Sequence, residues 1–279
     1  MREIEAKKIK EAVTELCLKA NFELRKDVLK ALRAALAGEK SARARNILKA
    51  ILENARLAKK KRLAICQDTS MVSVFLEVGS EVLIKGDLEE ALHKGVEEAY
   101  KKGYLRKSVV SDSLLRKNTN TNTPCIFTFK IVPGNRIRIA VSPKGFGSEN
   151  KSAIKMFKPT ASEKEIVDFV TDTVRNAGAD ACPPLVLGVG MGGTFDYAAY
   201  LSKKALISPI GTRHAKKHFR ALGKNILRAV NSLNMGPMGL GGRTTALGVN
   251  IEEFPTHIAG LPVAVSVSCH ATRSAEKTL

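Results

Sequence analysis

The stretch Leu185-Val186-Leu187-Gly188-Val189-Gly190-Met191-Gly192-Gly193 is an apolar run that passes into glycines. Its last six residues match the pattern GxGxxG, and the periodicity that follows predicts a helix over about residues 195–206. A strand, a glycine-rich turn and a helix in this order are typical of dinucleotide-binding folds. Such a fold also requires an acidic residue about 20 positions further along, which binds the ribose hydroxyl groups.

That acidic residue is absent from the chain. No Asp or Glu occurs from Tyr197 to Ile251, and Arg213 stands 20 residues after Gly193. No second strand is predicted at the expected place, so a dinucleotide site is not supported. We interpret the glycines instead as positions where another part of the backbone approaches closely, or where a strand turns tightly into a helix.

Outside this stretch the pattern is a mixture of helices and strands. Residues 1–62 show three amphipathic helical patterns, over about 4–20, 24–37 and 41–62. Further helices are predicted over 87–102, 163–177, 195–206 and 214–232. Strands are predicted over 62–67, 71–78, 124–130, 136–141, 185–189, 245–251 and 262–268. Pro133-Gly134-Asn135, between the third and fourth of these strands, predicts a hairpin.

The order of these elements predicts the fold class. The helical region comes first, and strands and helices then interleave without a regular βαβ alternation. We therefore expect a mixed α+β fold and not a doubly wound Rossmann sheet. At 279 residues the chain is long enough for one large domain or two small ones. We expect a single catalytic domain over 1–279, in which a helical region, 1–62, packs on a mixed region, 63–279.

The composition is that of a globular protein with a strong positive charge. Hydrophobic residues make up 44% of the chain and charged residues 26%, which excludes a fibrous or wholly disordered protein. The chain has 46 Lys and Arg against 27 Asp and Glu, so its formal net charge is +19. A charge of this size predicts an anionic partner, substrate or cofactor.

Two features argue against a membrane or secreted location. The longest apolar stretch, 184–207, is interrupted by glycines and by Asp196, Lys203 and Lys204, whereas a spanning helix needs roughly 20 mostly apolar residues. The N-terminus, Met1–Glu5, is charged and lacks the apolar segment of a signal peptide. We therefore expect a cytoplasmic protein that does not contact a membrane.

The stretch without acidic residues, 197–251, contains nine Lys or Arg and two His and could contact nucleic acid. No aromatic residues alternate with these charges, and no nucleic-acid-binding motif is present. A solvated basic surface is the favoured interpretation. A basic nucleic-acid-binding protein with structural cysteines remains the alternative from a different functional class.

The five cysteines fall into two groups. Cys17 and Cys125 fit apolar patterns and are predicted to be core residues, whereas Cys66, Cys182 and Cys269 each lie at the end of an element. The odd number, the wide spacing and the absence of CxxC do not support disulfides or a zinc ribbon. Thiolates also bind soft metals and iron–sulfur clusters, but spacing alone favours structural cysteines over ligands.

Several longer stretches are more specific than the cysteine spacing. In chain order they are Cys66-Gln67-Asp68-Thr69, Arg116-Lys117-Asn118-Thr119 with Asn122-Thr123-Pro124, Lys144-Gly145-Phe146-Gly147-Ser148-Glu149-Asn150, Cys182-Pro183-Pro184 with 188–193, Asn234-Met235-Gly236-Pro237-Met238-Gly239-Leu240-Gly241-Gly242, and Thr256-His257 through Cys269-His270-Ala271-Thr272-Arg273. On these stretches the chain resembles, over nearly its whole length, the alpha subunit or N-terminal half of class I iron–sulfur fumarases and L-tartrate dehydratases.

The resemblance implies a site and a cofactor. Cys66, Cys182 and Cys269 would hold a [4Fe–4S] cluster that leaves one iron open. The residues that would contact the dicarboxylate substrate are Gln67, Asp68, Arg106, Gly147 and His257. Asp68 and His257 would be the catalytic residues among them. From the residues alone, Asp68 could equally cap an Asx turn over Thr69 and Ser70.

The resemblance also implies a reaction and a partner. The first expectation is the reversible hydration of fumarate to L-malate, a step of the citric acid cycle, and the alternative is dehydration of L-tartrate to oxaloacetate. In this family the base and further cationic groups come from a beta part. We therefore expect a separate beta subunit of the same hydro-lyase as the partner, and the positive charge of this chain would help to recruit it or the dianionic substrate.

Overall fold

Helices and strands alternate irregularly in a computed structural model that describes residues 1–279. The helices are α1 (Ala6–Phe22), α2 (Lys26–Gly38), α3 (Ala42–Lys61), α4 (Leu88–Lys102), α5 (Phe146–Glu149), α6 (Glu163–Ala177), α7 (Phe195–Ile207) and α8 (Lys217–Asn231), with 3₁₀ turns at Gly178–Ala181 and Pro237–Gly239. The strands are β1 (Arg2–Glu5), β2 (Met71–Gly79), β3 (Val82–Lys85), β4 (Ile126–Val132), β5 (Ile137–Lys144), β6 (Ala153–Phe157), β7 (Leu185–Gly193), β8 (Ala246–Thr256), β9 (Leu261–Ser268) and β10 (Ala275–Thr278). None of the helices combines the length and apolar composition that crossing a membrane would require. The predicted α+β class is confirmed, and no doubly wound sheet is present.

The chain divides into two structural units. Unit 1 comprises residues 1–25, 54–146 and 273–279, and unit 2 comprises residues 26–53 and 147–272. The helical region 1–62 is therefore shared between the units, and helix α3 contributes residues to both. A single catalytic domain over 1–279, with 1–62 packed on 63–279, stays a prediction.

Unit 1 is built on a four-stranded sheet in the order β10-β5-β2-β4. Strand β2 runs parallel to β4 and antiparallel to β5, and β1 pairs with β3 in a separate parallel ribbon. Alternate residues of β2 are buried, as the two-residue period of a strand requires. Helices α1 and α4 add Leu16, Leu92 and Tyr100 to the same aliphatic core.

Two expectations in unit 1 are wrong. The strands on either side of Pro133-Gly134-Asn135 do not form a hairpin, because β2 lies between them. The end of β2 takes the hydrogen bonds that a hairpin would use: the N–H of Gly79 donates to the carbonyl of Arg136 at 2.8 Å, and that of Ser80 donates to Val132 at 2.7 Å.

The predicted strand over 62–67 is an irregular segment instead. The N–H of Ile65 donates to the Asn21 carbonyl at 2.9 Å, and its carbonyl accepts from the Asn54 amide at 2.8 Å. Helical residues therefore use the backbone groups that a strand would have paired with a neighbour.

Unit 2 is built on a sheet in the order β6-β9-β7-β8, with β7 parallel to β8 and antiparallel to β9. Val170, Ile226 and Val265 belong to its core. The glycines of β7 let helix α7 approach the sheet closely: a Cβ on Gly188 would lie 2.1 Å from the Ser202 carbonyl oxygen, and one on Gly190 would lie 2.1 Å from that of Ala198. The close-approach interpretation of the GxGxxG match is confirmed.

Candidate active site

The Cys66 loop, defined here as residues 66–70, leads into β2 of unit 1. Three successive carbonyl oxygens of this loop accept hydrogen bonds from buried side chains. The pairs are Asp68 with Arg273 Nη2 (2.7 Å), Thr69 with the Tyr100 hydroxyl, and Ser70 with Asn122 Nδ2 (3.0 Å). Tyr100 and Asn122 are fully buried, and burial raises the pKa of Tyr100, so its hydroxyl keeps the proton that it donates. The backbone of the loop is therefore held by hydrogen bonds from buried side chains.

The carboxylate of Asp68 is half-buried and oriented by two backbone donors. Oδ1 accepts from the N–H of Ser70 at 3.0 Å, and Oδ2 accepts from the N–H of Phe146 at 2.7 Å. Gly145 leaves room for this second contact, because a Cβ there would lie 3.0 Å from Oδ2. Asp68 thus forms the Asx turn that the sequence allowed, and each oxygen still has a lone pair for a further donor.

Gln67 and Arg106 belong to the same part of unit 1 as Asp68. Both are exposed, and the Cys66 thiol donates to Gln67 Oε1 at 3.3 Å. The carbonyl of Arg106 accepts from the Thr69 hydroxyl at 2.5 Å, which ties the segment after α4 to the Cys66 loop. The structure therefore brings three of the predicted substrate contacts, Gln67, Asp68 and Arg106, into one neighbourhood.

Cys182 and Cys269 lie at one end of the unit 2 sheet. Cys182 precedes β7 and Cys269 follows β9, and these ends meet where Val186 pairs with Ser268. The N–H of His270 donates to the Cys182 carbonyl at 3.3 Å, and His270 Nδ1 lies 3.0 Å from the same oxygen. Cys182 has a left-handed backbone, with φ 53° and ψ 65°. Two of the three predicted ligands therefore belong to peptides in direct contact.

His257 lies at the opposite end of the same sheet. It follows β8 in the turn that leads to β9, next to the pairing of Gly193 with Thr256. The eight residues of β9 separate it from Cys269, which at the rise of a strand is about 25 Å. His257 is exposed, and its Nδ1 accepts from the N–H of Ala259 at 3.2 Å. Within one chain, the structure does not bring His257 to the two cysteines.

Gly147 is an exposed residue of the short helix α5 in unit 2. It follows Phe146, whose N–H binds Asp68. A Cβ at position 147 would meet only the Asp180 carbonyl oxygen, at an ordinary contact distance of 3.5 Å. Packing gives no reason for a glycine here, and the predicted contact of Gly147 with substrate stays a prediction.

The exposure of the thiols separates the cysteines into the two predicted groups. Cys17 and Cys125 are buried, whereas Cys66, Cys182 and Cys269 are half-buried. Burial raises the pKa of Cys125 to about 12 and also raises that of Cys17. Cys66 belongs to unit 1 and the other two accessible thiols belong to unit 2. No group of three or more His, Cys, Asp or Glu side chains forms a metal site by itself.

The residues that hold the Cys66 loop were not among the sequence candidates. Asn122 and Arg273 do lie within the stretches that carry the family resemblance, and this position could have marked them as candidates. Tyr100 gave no signal, since an aromatic residue on the apolar face of a helix is usually a core residue. Its partner, Thr69, is 31 residues away in sequence.

Comparisons with known proteins cover nearly the whole chain. Residues 10–278 match the family model described as Fumarate hydratase (Fumerase). A Methanocaldococcus jannaschii protein provisionally named L(+)-tartrate dehydratase subunit alpha is 42% identical over 279 residues, covering 98% of each chain. The L(+)-tartrate dehydratase subunit alpha of Escherichia coli strain K12 is 32% identical over 270 residues, covering 95% of this chain and 89% of the relative. The chain therefore belongs to the fumarate hydratase (Fumerase) family.

Proposed function

We propose that this chain is the alpha subunit of a hydro-lyase that acts on a four-carbon dicarboxylate, with L-tartrate as the first candidate substrate. The observation that carries the proposal is its similarity, over 98% of both chains, to a relative named for L-tartrate dehydration. Fumarate, the first expectation from the sequence, becomes the second candidate. It is supported by the description of the family model.

The cofactor of the proposed enzyme is a [4Fe–4S] cluster held by Cys66, Cys182 and Cys269. These residues fit in donor type, since thiolates are the usual ligands of such clusters. They also fit in accessibility, because they are the half-buried thiols of the chain. A cluster with three cysteine ligands would supply a Lewis-acidic iron for the hydroxyl and carboxylate groups of the substrate.

The side chains around the Cys66 loop would bind and orient the substrate. The guanidinium of Arg106 and the amide of Gln67 are exposed and can donate to a carboxylate. The carboxylate of Asp68 can accept a hydrogen bond from the substrate hydroxyl or from the water that is added or lost. Its two backbone donors keep it pointing in one direction while it does so.

A role for His257 at the same substrate requires a second copy of the chain, because one chain places it about 25 Å from Cys269, at the far end of β9. Its Nδ1 accepts a backbone hydrogen bond, so the neutral ring carries its proton on Nε2. Nε2 is then the atom that would donate to a carboxylate.

A beta subunit would complete the enzyme. The relatives are named subunit alpha, and Asp68 is assigned here to the substrate hydroxyl or water, so the base for the C3 proton of the substrate would come from the partner. The formal net charge of +19 favours association with an acidic partner surface. Association with the beta subunit should therefore weaken as salt is raised.

The test is anaerobic reconstitution of the chain, followed by assays with the beta subunit from the same organism. We expect about four iron and four sulfide per chain in the wild type. Cys269→Ala should lose most of both, whereas the matched control Cys125→Ala should keep them. Turnover should be faster with L-tartrate than with L-malate or fumarate. A folded wild-type chain without iron and sulfide would contradict the cofactor, and preference for fumarate would reverse the order of substrates.

A further inference from the structure

Arg273 is a buried cation that makes no bond to a carboxylate. It is 4% exposed. Its Nη1 donates to Asn21 Oδ1 at 3.1 Å, and its Nη2 donates to the carbonyl of Asp68 at 2.7 Å and to Ser70 Oγ at 2.9 Å. Its Nε has no hydrogen-bond partner. A buried charge that forms no direct salt bridge is costly to desolvate, so a neutral donor would serve a purely structural purpose better.

The guanidinium provides one of two hydrogen-bonded anchors that flank Cys66 and Gln67. On the N-terminal side, Ile65 is fixed by Asn21, whose carbonyl accepts from the Ile65 N–H at 2.9 Å. On the C-terminal side, Asp68 is fixed by Arg273, which also binds the side chain of Asn21. The segment between these two anchors is therefore tied at both ends to the end of helix α1.

We infer that Arg273 is a positioning residue that holds Cys66, Gln67 and Asp68 in their working arrangement, acting through the Asp68 carbonyl and the Ser70 hydroxyl. The planar fork matches this arrangement, because Nη1 serves Asn21 while Nη2 serves Asp68 and Ser70, and a lysine has only a single nitrogen for these acceptors. The buried positive charge, which forms no salt bridge, also lies behind the loop that would receive a thiolate ligand and a dicarboxylate. The substrate part of this inference rests on the proposed function, and the loop part does not.

The first experiment measures the loop directly and needs neither cluster nor substrate. Arg273→Lys and Arg273→Gln are compared with Arg138→Gln, which removes an exposed arginine paired with Glu77 and Glu276 in the same unit. Hydrogen exchange of residues 66–70 should accelerate roughly tenfold in both Arg273 variants and stay unchanged in the control. Exchange in α6 should be the same in all of them. Unchanged exchange at 66–70 would overturn the inference.

The second experiment separates positioning from general stability. In the complete enzyme, Arg273→Lys and Arg273→Gln should raise KM for the dicarboxylate roughly tenfold and change kcat much less. If Arg273→Lys behaves as wild type, the charge and not the fork is what matters, and positioning is refuted. Accelerated exchange with an unchanged KM would also refute it.

A third variant keeps the inference testable if both replacements of Arg273 fail to fold. Ser70→Ala removes one acceptor and leaves the guanidinium in place, so it should accelerate exchange at 66–70 by a smaller factor. Unchanged exchange in Ser70→Ala would then overturn the inference. A wild-type enzyme without dehydratase activity would refute the proposed function alone, since the exchange results would still decide whether Arg273 holds the loop.

Discussion

The two units fix their cysteines by different means. In unit 2, Cys182 and Cys269 flank paired strands, and their places follow from the register of β7 with β9. In unit 1, Cys66 lies in an irregular loop whose carbonyls are bound by buried side chains from distant parts of the chain. Strand pairing uses backbone hydrogen bonds, whereas the position of the loop depends on particular buried side chains.

The two units also differ in how the hydrogen-bonding groups of a buried charged residue are satisfied. Glu39 in unit 2 and Arg273 in unit 1 are the only charged residues that are fully buried. The carboxylate of Glu39 accepts three backbone hydrogen bonds, from Lys40, Ser41 and Arg243, which use both of its oxygens. Arg273 has an unpartnered Nε and no carboxylate. Unit 2 thus uses both oxygens of its buried carboxylate in hydrogen bonds, whereas unit 1 keeps a buried guanidinium with one unpartnered nitrogen beside the Cys66 loop.

The largest expected effect tests the close packing of strand β7 against helix α7 in unit 2. Gly190→Ala would place a Cβ 2.1 Å from the Ala198 carbonyl oxygen and 2.5 Å from the Ser202 nitrogen, so strand β7 and helix α7 would have to separate. We expect a loss of at least about 3 kcal/mol in the free energy of unfolding, or failure to fold. Urea denaturation of the wild type and the variant measures the difference in the free energy of unfolding.

The matched control for that change is Gly223→Ala in helix α8. A Cβ there would meet Ile251 Cδ1 at 3.6 Å, an ordinary contact. Replacing a helical glycine should stabilise the chain by roughly 0.5–1 kcal/mol. Equal stability of the Gly190 and Gly223 variants would show that β7 does not depend on its glycines.

A smaller effect tests the loop of unit 1. Tyr100→Phe removes the hydroxyl that donates to the Thr69 carbonyl and leaves that buried oxygen with one donor fewer. The free energy of unfolding should fall by roughly 1–2 kcal/mol. Tyr104→Phe is the control, because that side chain is 97% exposed and its loss of a hydroxyl should change nothing measurable. Identical unfolding of the two variants would mean that the loop does not need the Tyr100 bond.

The difference between the units also explains what could be predicted from the sequence. The strand before Cys269 and the run before the glycines are local patterns, and both predictions are close to β9 and β7. The contacts of the Cys66 loop join residues up to 205 positions apart, for which no periodicity exists. The wrong hairpin has the same origin, because β2 inserts between neighbours in sequence.

The position of His257 shows a further limit of reading from the sequence. It stands 12 residues before Cys269, and both lie in one specific stretch, which suggests that they share a site. The residues between them form the strand β9, and a strand carries its two ends far apart. Nearness in sequence indicates nearness in space only where the intervening chain turns.

The smallest expected effect concerns the contribution of Glu39 in unit 2 to stability, and how that contribution depends on pH. Burial alone would raise the pKa of Glu39, but the N–H groups of Ser41, Arg243 and Lys40 and the Arg243 guanidinium together hold it below its usual 4.5. A lowered folded-state pKa means that the unfolded chain binds the proton more readily. The contribution of Glu39 is therefore complete above about pH 4.5 and is lost as the pH falls through the lowered value.

Comparison of the wild type with Glu39→Gln isolates this contribution from the other acidic groups. The wild type should be more stable at neutral pH, since the amide nitrogen of Gln cannot accept the backbone donors that one carboxylate oxygen serves. The stability difference should shrink as the pH is lowered below about 4.5, because the wild-type carboxylate becomes protonated. Chemical denaturation at several pH values measures the difference. A difference that stays constant down to about pH 3 would mean that the backbone donors do not favour the charged form, and the contrast with Arg273 would then no longer hold.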